Sequence, residues 1–589
     1  MPKYRYKSKR RFKYQTGMAM VAAMLTLFMV MTVALIGIAG TAAGHANNGA
    51  VVNAGNGIAM ASSRMNSVQA FNLAEAGEEY ALQWLHDQSA PPSNTAAFAP
   101  SLWSGTVSGD REVVTVYSAN NTSVGTFSVK IYPATANPGT TQKAYMIESV
   151  GTSGSNSQIL QAYVQQDSFS KYSYFSNDEY NNAYWVQGLS QFDGPMHDNS
   201  VNVYDPSSPT PVPENLLWFD YGNQTPIYNW NGPDAYSSVA SSIAWQDDYV
   251  GNYQAPTTTA QWLSIAVGGA STVSTGASFI AMPSSSTIQQ TAALGSASVP
   301  SSTGVVVPNS GGSTSAGIYI HGAVNNMILS APATASQEIE IDQTQSNGKA
   351  LKTYVTENLA SNQTTVTVDT TNSNNSVTAV TNTYTGTTNG VVYSDGSIGS
   401  NGPPGSGLSG TIANNYVNGS GNIVTANQMT LATSSNANIY LNGSVKYLTQ
   451  RVEDGNGNPL PETEDSNYVT NAGTLGVVTN SVIIDDTNSS GSILDNVQMD
   501  GVMLAYNTIQ PNNYAYDLAT RGTFTVNGGY IANQEGIFGE MTMTGQQIAG
   551  FADHYHYDER LADKPPPFYP TTGSEYDVLS WQRVSSVIQ

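Results

Sequence analysis

The sequence contains no cysteine, and only 11% of its 589 residues are charged. The absence of cysteine excludes a disulfide framework, a thiolate zinc site and a cysteine nucleophile. No GxSxG, P-loop or HExxH motif occurs, and no pair of carboxylates can be assigned to acid–base chemistry. The sequence therefore predicts that the protein is not an enzyme, and it assigns no catalytic residue, cofactor or metal ligand.

Positive charge is scarce beyond the N-terminus. Seven of the 20 Lys and Arg residues precede Gly17, so the chain from Met18 onward carries 13 basic residues against 42 acidic ones, a formal charge of −29. A surface of that sign repels phosphate backbones, because nucleic-acid affinity comes largely from Lys and Arg that displace counterions. No nucleic-acid partner is expected, and the acidity suits an exported protein that stays in solution.

One long apolar run, Gly17 to Gly40, carries no charge and follows a basic leader. Residues 18–40 would span roughly 34 Å as a helix, enough to cross a bilayer core of about 30 Å. Cationic flanks stay in the cytoplasm, and a secretory signal has a shorter apolar core of about 7 to 15 residues. The run therefore predicts a single inner-membrane span, with the C-terminal bulk outside the cytoplasm.

A helical pattern continues beyond the apolar run. Several Gly and Asn residues between 44 and 57 weaken it, and from Ala61 an apolar stripe recovers until Pro91-Pro92 ends the helix. Glu78 falls inside this stripe. The stripe contains Val68, Phe71, Ala74, Ala81, Leu82 and Leu85.

The leader ending in Gly17, the apolar helix and the AFxxAEAG stretch at 70–77 together resemble the N-terminus of the PilX-type minor pilins of type IV pili. The resemblance implies a leader at 1–17, a prepilin peptidase cut between Gly17 and Met18, and a pilin-like helix over 18–90. It also implies contact with other pilins through that helix.

The chain departs from the pilin pattern at one position. Most pilins carry a glutamate five residues into the mature chain, where this sequence has Ala22. The resemblance then implies a minor subunit with a tip or priming role. A membrane-anchored protein that never enters a filament is the alternative.

Apolar and polar residues alternate between Ala99 and Asp167, with Gly- and Asn-rich turns between the alternating stretches. This pattern predicts antiparallel strands with one buried face. A helix followed by such a meander is the pilin α+β arrangement, so residues 91–168 are expected to form a small pilin-like sheet. The alternating stretches cover residues 111–120, 125–133, 143–154 and 158–167.

A second, larger β-rich domain is predicted over 169–550. Its start, Phe169 to Ser200, resembles a module found on some PilX-like proteins, and the single His197 of that module is expected to be structural. A short helix is predicted over 257–266. The module carries a YxYF stretch (Tyr172, Tyr174, Phe175) and an F-x-G-P-x-H-x-N motif (Phe192, Gly194, Pro195, His197, Asn199).

Short apolar strands recur from about residue 317. They begin near Gly317, Gly390, Asn438, Leu475, Val497 and Gly522. This recurrence predicts the coils of a β-solenoid, and a stack of hairpins forming a sandwich is left open by the irregular spacing.

Two stretches could bind a metal. His554, His556 and Asp558 alternate along a predicted strand, but no further ligand can be named. A structural clasp over 551–589, with the PPPFYP run at 565–570 extended, is favoured.

Asp454, Asn456 and Asn458 have the oxygen spacing that opens a calcium loop. Pro459 stands where such loops need glycine, and Asp465 stands where they need Glu. A surface turn is therefore favoured over a calcium site.

These patterns predict an α+β, mainly β protein that acts as a minor pilin or pilus-assembly protein in the inner membrane, at the pilus tip or at the cell surface. Its β-domain would serve priming, adhesion or recognition of a surface glycan or protein. One alternative is a DNA-capturing tip protein of a competence pilus, which the charge opposes. The other is a membrane-anchored polysaccharide-acting solenoid enzyme, which needs a groove of clustered acidic or basic residues.

Overall fold

A computed structural model describes most of the chain between residues 48 and 587. The leader, the Gly17–Met18 position and the apolar run lie outside the described residues. Within the described part, no helix combines the length and hydropathy needed to cross a bilayer. The described ranges are 48–86, 106–108, 111–133, 144–178, 185–186, 190–199, 216–220, 236–239, 242–246, 253–254, 256–399, 406–453, 460–488, 490–541 and 547–587.

The first unit is a long helix packed on an antiparallel sheet, here called the helix–sheet module. Helix α1 runs over Asn48–His86 and is continuous through Gly49, Gly55 and Gly57, which were expected to weaken it. The sheet has the order β1-β2-β3-β4-β5-β36. Its strands are β1 (Thr106–Ser108), β2 (Arg111–Tyr117), β3 (Ser123–Pro133), β4 (Ala144–Ser153), β5 (Asn156–Ser168) and β36 (Thr571–Val584).

The second unit is β-rich and contains the other strands. These are β6 (Tyr174–Asp178), β7 (Trp185–Val186), β8 (Gln191–Asp193), β9 (Met196–Asp198), β10 (Leu216–Asp220), β11 (Tyr236–Ser238), β12 (Ser242–Gln246), β13 (Tyr253–Gln254), β14 (Val273–Thr275), β15 (Gly304–Val306), β16 (Asn309–Ser310), β17 (Ser313–Thr314), β18 (Ile318–His321), β19 (Asn326–Ala333), β20 (Ser336–Thr344), β21 (Ala350–Asn358), β22 (Gln363–Thr371), β23 (Val377–Thr385), β24 (Val391–Ser394), β25 (Leu408–Ile412), β26 (Tyr416–Val417), β27 (Ile423–Thr425), β28 (Gln428–Thr433), β29 (Ile439–Tyr447), β30 (Thr474–Thr479), β31 (Val482–Ile484), β32 (Val497–Pro511), β33 (Thr520–Glu535), β34 (Gly539–Met541) and β35 (Gln547–Tyr557). Its helices are α2 (Thr259–Ile265), α3 (Thr287–Leu294), α4 (Ser466–Asn471) and α5 (Arg560–Asp563).

Most strands of this unit stack as coils, and equivalent strands of neighbouring coils pair in parallel, which is solenoid geometry. One face has the order β18-β24-β28-β30-β32-β33-β6-β9-β11-β14. A second face has the order β19-β25-β29-β32-β33-β35-β8. A third, shorter face joins β29, β31, β32 and β33. Inward-facing Val, Ile, Leu, Met and Tyr side chains fill the interior.

The chain enters the stack in its middle. The first strand of the stack along the chain is β6, which lies near the middle of the first face. From β6 the chain builds toward one end of the stack, which it reaches at β14. The next part of the chain begins at the opposite end of the stack, with β18. It returns to β33, where Tyr530 pairs with Tyr174. The parallel stack therefore includes strands between residues 174 and 275, well before residue 317.

The second face continues beyond β19 as antiparallel strands. Strands β20, β21, β22 and β23 follow one another with hairpin register, so one continuous sheet extends from β8 to β23. A helix was predicted over 257–266, and α2 occupies Thr259–Ile265 with a capping box between Thr258 and Gln261. Helix α3 was not predicted.

Candidate functional site

The C-terminal half of α1 packs closely on strand β4. A Cβ on Gly77 would lie 2.2 Å from Ser149 Oγ, and a Cβ on Gly151 would lie 2.0 Å from the Ala70 carbonyl oxygen. Ala70 and Ala74 are fully buried. The small residues of the AFxxAEAG stretch therefore set the distance between helix and sheet.

The buried face of α1 agrees with the predicted stripe at Ala74, Ala81 and Leu85 and differs from it at Val68. Val68 is 61% exposed, whereas Leu73, Tyr80 and Trp84 are buried against β2, β3, β4 and β5. The prediction for Val68 was wrong, because Ala70, Leu73 and Ala74 rather than Val68 are buried in this part of the helix. The small residues among them let the helix approach the strands closely and pack densely.

Glu78 lies at the margin of this interface. Trp581 of β36 donates a hydrogen bond from Nε1 to Glu78 Oε2 over 2.9 Å, and its ring meets Phe71 edge-on at 5.9 Å. Burial raises the pKa of Glu78 above its usual value. Glu78 therefore links α1 to the last strand of the chain.

The solenoid is inserted between two neighbouring strands of the helix–sheet module. Strand β5 precedes the solenoid, β36 follows it, and the two pair antiparallel. At the junction, the Phe169 backbone N–H donates to the Pro570 carbonyl oxygen over 3.2 Å. Ser170 Oγ donates to the Leu561 carbonyl oxygen over 2.6 Å. The two connections thus lie side by side.

The PPPFYP run lies along the outer surface of the first solenoid face. Gln289 Nε2 donates to the Phe568 carbonyl oxygen over 2.6 Å, and Thr430 Oγ1 donates to that of Pro567. Tyr569 is buried in the cluster that covers this face. The tail predicted over 551–589 begins within β35, is interrupted by the short helix α5 and ends in β36, which joins the helix–sheet module.

His197 of the F-x-G-P-x-H-x-N motif is a buried structural residue. Its Nδ1 lies 2.8 Å from Ser237 Oγ and its Nε2 lies 3.1 Å from Asn199 Oδ1. Both ring nitrogens thus have partners, and burial lowers the pKa of His197 to about 4. Asn199 also donates to Asn177 on the neighbouring coil, so the motif ties β6, β9 and β11 together.

The alternating residues of β35 have separate partners. His556 Nδ1 lies 2.9 Å from Asp193 Oδ2, whereas Asp558 is buried and bound by Arg560. Burial, followed by the neighbouring His556, lowers the pKa of His554 to about 4. Across the described residues, no group of three or more His, Asp or Glu side chains is arranged to hold a metal.

A row of polar side chains, one from each successive strand, lies at the corner between the first and second faces. The sequence patterns did not predict this row. Asp500, Asn527, His556 and Asp193 occupy equivalent positions on successive strands, and Asn527 Nδ2 donates to Asp500 Oδ1 over 2.7 Å. The repeated Asp-Gly and Asn-Gly pairs at 500–501 and 527–528 are the signal that could have revealed it.

The calcium-like stretch falls mostly outside the described residues, which omit 454–459. Asp465 is described, and it caps α4. Its Oδ1 accepts from the Tyr468 backbone N–H over 3.0 Å, and its Oδ2 accepts from that of Val452 over 2.8 Å. Both carboxylate oxygens therefore serve the local backbone.

A buried ionic cluster joins α4 to the point where the chain leaves the solenoid. Arg560 Nη2 donates to Asp558 Oδ2 over 2.7 Å, and Tyr468 OH donates to the same oxygen over 2.8 Å. Burial alone would raise the pKa of Asp558, but Arg560 holds it below its usual value. Glu462 Oε1 accepts from the Arg560 backbone N–H over 2.9 Å. Burial, followed by the hydrogen bond to Asp558, raises the pKa of Glu462 to about 8.

This cluster predicts a pH dependence of stability. Between about pH 5 and 8, the folded state keeps a proton on Glu462 that the unfolded state releases, so the free energy of unfolding should fall as pH rises through that window. One proton contributes at most about 1.4 kcal/mol per pH unit. Denaturant unfolding of Glu462→Gln should show a shallower pH slope than the unmodified chain.

The exposed neighbour Glu464 supplies the control, since Glu464→Gln should keep the unmodified slope. Asp553, whose pKa burial raises to about 7, adds a slope of the same sign in all three proteins. Equal slopes for Glu462→Gln and Glu464→Gln would contradict the assignment.

No protein family model matches the chain, and no curated protein sequence matches it. Among solved structures, the chain is similar to the competence-associated pilin ComZ from Thermus thermophilus, with 12% sequence identity and a TM-score of 0.27. The match covers 88% of this chain and 97% of that one.

Proposed function

We propose that the protein is a minor pilin or pilus-assembly protein that displays its β-solenoid outside the cytoplasm. The observation that carries this proposal is the form of α1. Its C-terminal half is buried on an antiparallel sheet, whereas its side chains from Ala59 to Met65 are exposed. A helix of this kind holds a folded head at one end and leaves its other end available to neighbouring helices.

The exposed part of α1 carries apolar side chains that neighbouring helices could cover. Met60 is 67% exposed, and the apolar run of residues 18–40 precedes this part in the sequence. In the proposed mechanism, the apolar run is held in the inner membrane until the chain joins a bundle of pilin helices. Ala22 replaces the usual glutamate, which suits a tip or priming subunit.

The solenoid is the displayed part. Its two connections to β5 and β36 lie side by side, so it is held at two points rather than by one flexible linker. We expect it to serve priming, adhesion or recognition of a surface glycan or protein. None of the clusters described above has the exposed carboxylate pair that polysaccharide cleavage requires.

The processing step tests this proposal. Coexpression of the full chain with a prepilin peptidase should give a mature protein that begins at Met18, because the peptidase cuts after the glycine that ends the leader. Replacing Gly17 with Phe should abolish this cut. Intact-mass spectrometry of the detergent-purified protein measures both results.

Gly44→Phe is the matched control, because it makes the same change beyond the apolar run, and it should be processed normally. A chain that keeps Met1 in the presence of the peptidase would contradict the proposal. Cleavage after about Ala43, as a secretory signal would give, would contradict it as well.

A further inference from the structure

Strand β23 is a long sheet edge in the part of the chain that the structure describes. Its nine residues pair with β22 without a register shift, and on its other side only Thr385 pairs, with Ser313 of β17. Alternate N–H and C=O groups of an antiparallel edge point away from the sheet. Strand β23 therefore presents a row of backbone donors and acceptors.

This edge lacks the features that usually prevent pairing between sheets. Natural edges carry Lys, Pro, bulges or other charges that block a second strand. Strand β23, VTAVTNTYT, has none of these, and no charged residue occurs from Thr370 to Ser394. The other long edge, β36, carries Arg583 and is interrupted by register shifts.

Strands β22 and β23 pair in a regular register. Thr367 Oγ1 and Thr381 Oγ1 lie 3.0 Å apart across the two strands, and Thr365 Oγ1 and Thr383 Oγ1 lie 3.3 Å apart. These cross-strand pairs support the register. Because no bulge interrupts β23, its edge can act as a template for a further strand.

The apolar layer beneath β23 is incomplete at this edge. Val380 pairs with Val368, which packs against the solenoid interior, yet Val380 is itself 54% exposed. No described strand lies beyond it to cover the side chain. A strand added at β23 would cover Val380 as well as satisfy the backbone groups.

We propose that β23 pairs antiparallel with β23 of a second copy of this chain. A second copy brings the same unpaired and uncharged edge, so one antiparallel contact satisfies the backbone groups of both strands. Two chains of formal charge −22 repel each other elsewhere, and the 25-residue uncharged stretch removes that repulsion at the contact. An antiparallel pair about Thr381 sets Ala379 opposite Thr383 of the partner, both small. The two continuous sheets then join into one, which gives the displayed solenoid a homophilic contact.

The absence of cysteine makes the contact directly testable. The variant Thr381→Cys and the double variant Ala379→Cys/Thr383→Cys, whose thiols face each other across the proposed pair, are made in the detergent-purified full chain. Each is treated with the thiol oxidant diamide and separated on a non-reducing gel. Residues opposite each other across an antiparallel pair have Cβ atoms about 5 Å apart, so disulfide-linked dimers are expected. Val424→Cys, on the separate small hairpin and 56% exposed, is the control, and its yield should be at least about tenfold lower.

A charge at the edge should remove the contact. Val380→Lys and the outward-facing Thr381→Lys should each convert the dimer seen by light scattering into a monomer, whereas Val424→Lys should leave it unchanged. Retained thermal unfolding midpoints show that the variants still fold. A monomeric unmodified chain, or edge cross-linking no greater than that of Val424→Cys, overturns the proposal. Cleavage after Gly17 does not depend on this contact between copies, so the test of the proposed function can succeed or fail separately from this one.

Discussion

Replacing Gly151 with alanine is expected to detach α1 from its sheet. The new Cβ would lie 2.0 Å from the Ala70 carbonyl oxygen and 2.4 Å from the Ala74 backbone nitrogen. Both atoms belong to the helix backbone, so no side-chain rotation relieves the clash. Overpacking of this kind destabilises by about 1–3 kcal/mol, and we expect the upper end of that range because the whole helix must shift.

Thermal unfolding followed by circular dichroism measures the loss, and limited proteolysis within α1 should become faster. Gly419→Ala is the matched control, because Gly419 has open space around its Cβ position and an ordinary φ. Its unfolding midpoint should stay near that of the unmodified chain. Equal midpoints for the two variants would show that close approach between α1 and β4 is unimportant.

The second large effect is expected for Arg560→Met. The Arg560 side chain is 7% exposed and the Asp558 side chain is fully buried, so the substitution leaves Asp558 without its cation. Removing one partner of a buried ion pair typically destabilises by about 3–5 kcal/mol. The loss should be smaller at low pH, because the unpaired Asp558 can then take up a proton.

Denaturant unfolding at pH 5 and at pH 8 measures this prediction. Arg583→Met, on the exposed strand β36, should change stability by less than about 0.5 kcal/mol at either pH. Adding Asp558→Asn to Arg560→Met should restore part of the loss by removing the buried charge. A loss that is independent of pH would show that Arg560 acts through packing alone.

Local patterns in the sequence predicted the local structure well. The alternating stretches from Arg111 to Asp167 became β2 to β5, because alternation records which side of a strand is buried. The recurring strands after residue 317 lie in the stack for the same reason. For α1, the helix was predicted, and its buried stripe was right at Ala74, Ala81 and Leu85 but wrong at Val68. The close contacts of Gly77 and Ala70 were missed, because a hydrophobicity pattern gives little weight to small residues.

Long-range pairing could not be read from the sequence. The strands between 174 and 275 have weak patterns, and their parallel partners lie hundreds of residues away, as with Tyr174 and Tyr530. The ionic cluster was missed for a related reason, since Glu462 and Asp558 meet only after folding. Asp558 was noted as a potential ligand, yet its actual partner, Arg560, is two residues further along the chain.

The insertion of the solenoid between β5 and β36 also governs the order of folding. Strand β5 pairs with β4, but its other neighbour, Thr571–Val584, is made about 400 residues later. Strand β6 likewise gains its neighbour β33 only after about 350 further residues. Such distant partners make folding slow and leave strand edges open during synthesis. A chain that stops early lacks β36 and the Trp581 contact to α1. The sheet on which α1 packs is therefore complete only after the chain has been translated through Val584, which means that the whole solenoid is made before its own mount is finished.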